Sequence, residues 1–245
     1  MPSTAYSATL DYCGGSVTIP FTTSSLGPCP GVDLDLSGRT YVANLAEARI
    51  VEPAGIGSVL TSYLTQDILL GVERIEGASI RMIGAMGAED SAPPRQELCD
   101  PSIPFPVADW SEAPFFRIGP QTTTLSIAGY AIDLEDLEVT GTFSSDGSYF
   151  AGGTLTGIID TRPLAPLLDD SGDEGAVCDL AINFGAACEA CSVDGETFCL
   201  TLVADQITAL EVEDTTLREV GGDNCVGCES ATEATDLSAE CPVSD

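Results

Sequence analysis

Residues 137–155 read Leu-Glu-Val-Thr-Gly-Thr-Phe-Ser-Ser-Asp-Gly-Ser-Tyr-Phe-Ala-Gly-Gly-Thr-Leu. Before the Ser-Ser-Asp-Gly break, Leu137, Val139, Gly141 and Phe143 recur at every second position, the period of a strand with one buried face. After it, Tyr149, Ala151, Gly153 and Leu155 do the same. A two-residue Asp146-Gly147 turn would pair 145 with 148 and set the two series on opposite faces. A three-residue loop, Ser145-Asp146-Gly147, pairs 144 with 148. It sets Phe143 opposite Tyr149 and Leu137 opposite Leu155, and it uses Gly147 as its left-handed residue. Because the buried face fixes register, the three-residue loop is the expected one, with the second strand running on through Ile159.

The same alternation predicts further strands over 7–12, 15–21, 40–51, 67–76, 79–86, 122–128, 130–135, 197–204 and 207–213. Gly, Pro, Asn and Asp punctuate them at short intervals. This predicts a mainly β chain, an antiparallel β-sandwich or open barrel with one or two short helices. Helical spacing occurs at Ile56, Val59, Leu60, Tyr63 and Leu64. It recurs at Val177, Leu180, Ala181, Phe184, Ala187 and Cys188, ending in Cys191, and a short turn is expected after Pro163.

Composition shifts near residue 169. Residues 1–168 hold three of the ten cysteines and seven of the eight arginines; residues 169–245 hold seven cysteines and one arginine. The junction, Asp169-Asp170-Ser171-Gly172-Asp173-Glu174-Gly175, has the character of a solvated loop. The expected organisation is a β-rich main body over 1–168 and an acidic, cysteine-rich C-terminal subdomain over 169–245 packed on it.

The 245 residues contain 39 acidic side chains, eight arginines, no lysine and no histidine, for a net charge of −31. Such a polyanion repels phosphate backbones and anionic lipid, so nucleic acid is not an expected partner, while cations are attracted to the surface by charge alone. A saline habitat accounts for the balance, and so does secretion by a GC-rich bacterium that favours Arg over Lys. Without His there is no Ser-His or Cys-His dyad, and without Lys no Schiff base or phosphate-loop lysine. Carboxylates, thiols, hydroxyls and any metal they hold are what remains for catalysis.

Cysteines stand at Cys13, Cys29, Cys99, Cys178, Cys188, Cys191, Cys199, Cys225, Cys228 and Cys241. Ten is an even number and high for a cytosolic chain, so disulfides and an oxidising, extracellular or cell-surface location are expected. No run of 18 apolar residues exists to span a membrane as a helix. The polar opening Met1-Pro2-Ser3-Thr4 carries no leader, and the expectation is that one was removed. Cys13 and Cys29 flank a short β segment and are candidates to close one loop. The seven C-terminal cysteines are odd in number, so Cys99 is the expected partner for one of them, which would lash the cap to the body.

Several constellations carry a chemical alternative. Cys188, Cys191, Cys225 and Cys228 form two CxxC pairs, a ligand set for tetrahedral zinc, although 33 residues separate the pairs. A redox role for Cys188 and Cys191 is disfavoured by their place at a helix C-terminus, where the dipole opposes a thiolate. Asp33-Leu-Asp35-Leu-Ser37-Gly38 matches the first half of a calcium loop, but Asn44 falls where a bidentate Glu belongs. A strand with both aspartates facing water is the expected form. Asp170-Ser171-Gly172 has the aspartic-protease tripeptide without a second copy to build a dyad.

The densest aromatic stretch runs from Ile103 to Phe116, with Phe105, Trp110, Phe115 and Phe116 set among prolines. Such a segment folds as a lid over a β core or presents its rings as a binding surface. Taken together, the residues predict a non-enzymatic exported or cell-surface protein, a structural or binding module stabilised by disulfides and needing no cofactor. An extracellular protein or a glycan is the expected kind of partner. The alternatives are a secreted carboxylate-pair hydrolase of glycosidase type, and a metal-binding protein with Zn at the CxxC pairs or Ca at acidic loops.

Overall fold

The computed structural model describes residues 4–12, 15–23 and 126–127 as backbone strands, and residues 34–55, 66–88, 91–125, 130–168 and 173–221 with their side chains. Contacts divide the chain into two units, Met1–Asp33 and Leu34–Asp245. In the first, β1 (Thr4–Tyr12) and β2 (Gly15–Thr23) make a two-stranded antiparallel sheet of their own.

In the second unit the described strands form one antiparallel sheet of ten. In chain order they are β3 (Thr40–Asn44), β4 (Arg49–Glu52), β5 (Asp67–Glu76), β6 (Ser79–Met86), β7 (Ile103–Pro104) and β8 (Ala108–Asp109). The long strands follow: β9 (Phe115–Ile127), β10 (Tyr130–Phe143), β11 (Tyr149–Asp160) and β12 (Cys199–Val212). The spatial order is β7-β6-β5-β3-β12-β11-β10-β9, with β4 also on β12 and β8 also on β6. The sheet curls into a nearly closed, barrel-like form, because β8 is bonded to β6 at one end and leads through residues 110–114 directly into β9 at the other. Two short helices, α1 (Ala165–Leu168) and α2 (Ala176–Asn183), lie between β11 and β12. The mainly β, antiparallel, open-barrel expectation describes this body.

β12 comes from the C-terminal part of the chain, yet it sits between β3 and β11 in the middle of the sheet. The described part of the cysteine-rich cap is therefore the connection from β11 to β12. The stretch predicted as one strand over 40–51 is two, split by a 3-10 turn at Leu45–Glu47, which Asn44 caps by accepting from the Ala46 N–H at 2.9 Å. Leu34–Leu36 is not a strand, although it keeps the alternation, with Leu36 buried and Asp35 exposed. The helix expected to reach Cys191 stops at Asn183, where Phe184 and the left-handed Gly185 end it. The helix expected around Ile56–Leu64 lies outside the described residues.

The quoted hairpin forms, in a different register. Ser144 N–H donates to the Tyr149 carbonyl at 2.9 Å, so 144 pairs with 149 across a four-residue loop. Gly147 does take the left-handed conformation, at φ 75°. The loop is organised by Asp146, whose Oδ1 accepts from the Ser144 hydroxyl and from both the N–H and the hydroxyl of Ser148. In consequence Phe150, not Tyr149, points into the core, and Phe143 faces Phe150. Leu155 is buried as expected because a bulge at Gly152, φ 62°, inserts one residue and returns the odd positions to the inner face. Bulges at Asp136 (φ 51°) and Gln206 (φ 59°) reset the phase of β10 and β12 in the same way. Each lets a long strand bend, as the closure of a sheet requires.

The core of the body is built around aromatic rings. Phe143 lies 4.9 Å from Phe116, 5.1 Å from Tyr41 and 5.7 Å from Phe150, centroid to centroid. Trp110 closes the cluster at 5.9 Å. Gly141 belongs here because a Cβ at that position would come within 2.8 Å of the Phe116 ring and 2.9 Å of Phe150. Tyr41 is fully buried yet satisfied: its hydroxyl donates to the Gly147 carbonyl at 2.8 Å, and burial pushes its pKa up to about 12.

Candidate functional site

The proline-rich stretch is a seam. Phe105 N–H donates to the Met82 carbonyl at 3.1 Å and Trp110 N–H to the Ala78 carbonyl at 2.8 Å, which ties it along β6. Phe105, Trp110 and Phe116 are buried and Phe115 is half-buried. Of the four rings offered as a binding surface, three are core, because the segment closes the barrel between β6 and β9.

All five cysteines among the described residues are disulfide-bonded: Cys99, Cys178, Cys188, Cys191 and Cys199. Cys178 in α2 bonds Cys188, and Cys191 bonds Cys199 at the start of β12. Cys188 and Cys191 thus have separate partners. In this pairing they share no CxxC disulfide, and neither carries a free thiolate. Cys13, Cys29, Cys225, Cys228 and Cys241 lie outside the described residues, as does the Asp170-Ser171-Gly172 tripeptide. Among the described residues no group of three or more acids or cysteines has the geometry to hold a metal ion.

The disulfide loop is pinned to the barrel by charge. Arg162 donates to Asp160 at 3.0 Å and to Asp194 at 2.6 Å, with its guanidinium 5.4 Å from the centre of the Phe198 ring. Ser192 donates to Glu135 on β10 at 2.5 Å. Burial drives the Asp160 carboxyl upward, but the Arg162 side chain and backbone N–H outweigh it and the net shift is down. The Glu196 N–H, aided by Arg162, lowers Asp194; Arg49 lowers Asp205; the Ser111 N–H lowers Asp109. Ser144 and then Ser148 hold Asp146 down at about 2. All these displacements favour the carboxylate, the reverse of what a general acid needs.

The sign of these shifts sets a pH dependence. Groups lowered on folding add stability that is complete above the unfolded value of 3.8 and is lost as pH falls through the folded value, about 2 for Asp146. The repulsion of 31 excess negative charges acts the other way and fades as pH approaches the isoelectric point of 4.1. Stability is therefore expected to climb from neutral pH toward about 4 and to drop below about 3. Added salt should raise it at neutral pH and flatten the climb. Urea midpoints across that range at low and high salt test this, and a steady decline from neutral pH downward would contradict it.

Concave space is of two kinds. Inside the barrel, adjoining cavities of about 50 and 30 Å³ share Leu45, Ile68, Met86, Leu125 and Leu155 as lining. Their walls are apolar apart from Gln66, so they suit small apolar matter better than water. At the surface, a cleft of about 230 Å³ is lined by Gly38, Arg39, Thr40, Glu73, Thr216 and Leu217, among others. It brings together charges of both signs and two hydroxyls. Arg39 in it is steadied by Glu211 at 3.2 Å and by the Asp146 carbonyl at 3.1 Å. Glu73 meets Arg81 at 2.7 Å. Nothing in the sequence marks this cleft, because its residues come from the turn before β3, from β5 and from the segment after β12. Among the described residues no helix is long and apolar enough to cross a membrane. Comparison with family models, curated proteins and solved structures finds no match to this chain.

Proposed function

We propose that this chain is an exported, non-enzymatic module of the cell surface or extracellular space, with a structural or partner-binding role. The observation that carries the reading is the oxidation of every described cysteine. Disulfides of this density persist where no thiol pool reduces them. The charge supports it: Arg39, Arg49, Arg74, Arg81, Arg117 and Arg162 are each paired with a carboxylate. The acidic excess keeps such a module soluble and drives nucleic acid away. The surface cleft around Arg39 and Glu73 is the place such a module has for a polar group of a protein or glycan partner, since it joins concavity with polar groups of both signs.

The deciding experiment is non-reducing peptide mapping of protein taken from its native cells, with each cell fraction assayed separately. The expected result is protein in the exported fraction, no free thiol under denaturing conditions, and the Cys178–Cys188 and Cys191–Cys199 peptides. Alkylatable thiols at these positions in protein from the cytoplasmic fraction would overturn the reading.

A further inference from the structure

We propose that β1 is a self-association edge, on which a second copy of this chain pairs antiparallel to give a closed dimer. Tyr12 pairs with Gly15, so two residues join β1 to β2. In such a hairpin the flanking pair exchanges both its hydrogen bonds, and bonded and non-bonded pairs then alternate away from the turn. The bonded pairs are Tyr12–Gly15, Leu10–Val17, Ala8–Ile19 and Tyr6–Phe21. The backbone N–H and C=O groups of Ala5, Ser7, Thr9 and Asp11 therefore point away from β2. On β2 the outward positions are Ser16, Thr18, Pro20 and Thr22. Pro20 has no N–H, so the outer edge of β2 is interrupted in its middle, as guarded edges are. The outer edge of β1 carries a full row of donors and acceptors, and its sheet contains only these two strands among the described residues.

Charge selects a second copy as the occupant. Residues 1–33 hold Asp11 and Asp33 alone of the 39 acids, leaving 39 − 2 = 37 on residues 34–245. An interface built on this unit sets the fewest carboxylates directly against each other. Full antiparallel overlap of β1 on itself centres on Ala8 and sets Ser7 against the partner's Thr9 and Asp11 against the partner's Ala5. Outward-pointing groups then meet outward-pointing groups, and the two Asp11 carboxylates stand at opposite ends. A two-fold pairing of this kind is closed. With Pro20 blocking the remaining edge, assembly stops at two copies and makes no filament.

Thr9 and Thr18 face each other across the hairpin, which supplies a matched test. Thr9→Pro removes an outward donor from β1, and Thr18→Pro removes one from β2, at the same rung and with the same burden on the hairpin. Sedimentation of the full chain in screening salt should give twice 25.3 kDa for the wild type and for Thr18→Pro, and 25.3 kDa for Thr9→Pro. The near-ultraviolet signal of the Trp110 cluster should be the same in all three. A monomeric wild type, a larger polymer, or equal behaviour of the two variants would overturn the proposal.

Discussion

Replacing Phe150 by Ala is expected to cost about 3–5 kcal/mol of unfolding free energy, whereas Tyr149→Ala should cost well under that, about 1 kcal/mol or less. Phe150 is fully buried and touches Phe116, Phe143 and Tyr41, with centroids 5.2, 5.7 and 5.9 Å away. Its removal leaves a cavity that the surrounding strands cannot collapse into, because they are hydrogen-bonded on both sides. Tyr149 is 43% exposed. The pair of variants also tests the hairpin register, since a three-residue loop would reverse the order of the two effects. Urea unfolding read on near-ultraviolet dichroism suffices. Equal losses, or a larger loss at Tyr149, would refute the four-residue loop and the bulge at Gly152.

The second large effect belongs to the cross-links between β11 and β12. Opening Cys191–Cys199 by double substitution to Ala should remove about 2.5 kcal/mol, from a loop of eight residues. Opening Cys178–Cys188 as well should roughly double the loss, to about 5 kcal/mol. Two consequences follow from where the bridges sit. Cys199 is the first residue of β12, whose partners include β3, β4 and β11, so freeing it loosens a central strand and not an edge. Cys191 and Cys199 are both buried, so a reductant reaches their bridge only when the cap opens, whereas half-buried Cys188 leaves the other bridge nearer to solvent. A thiol reductant should therefore lower the thermal midpoint in two stages, the second slow, over the time needed for local opening. An unchanged midpoint after complete, verified reduction would mean that these bridges do not hold the cap.

The oxidised cysteines and the acidic surface together frame the functional reading. A chain with no histidine imidazole and no lysine ammonium has few side chains for proton transfer at neutral pH, and the carboxylates that the fold does shift are stabilised as anions. The same carboxylates are spent on turns and on arginine pairs: Asp146 and Asp109 each organise a serine-containing turn, and Asp160 and Asp194 clasp Arg162. These are structural uses of carboxylate, in keeping with the proposed function.

Period-two alternation was enough to locate most strands and their antiparallel class, because one buried face leaves a mark at every second residue. The cysteine count was enough to anticipate disulfides. The alternation could not locate bulges: Leu134 and Leu137 are both buried, three apart, only because Asp136 takes a left-handed conformation between them. The same lapse in phase at Gly152 moved the buried ring from Tyr149 to Phe150. Nor does local pattern say which strands become neighbours. That β12 lies between β3 and β11, that Phe105 and Trp110 seal a seam, and that Arg39 and Glu73 share a cleft with Thr216 all depend on contacts between residues far apart in the chain. The composition thus determined a polyanionic, cross-linked β protein, while closure of the sheet, through bends of a single inserted residue, decided which side chains are core and which are surface.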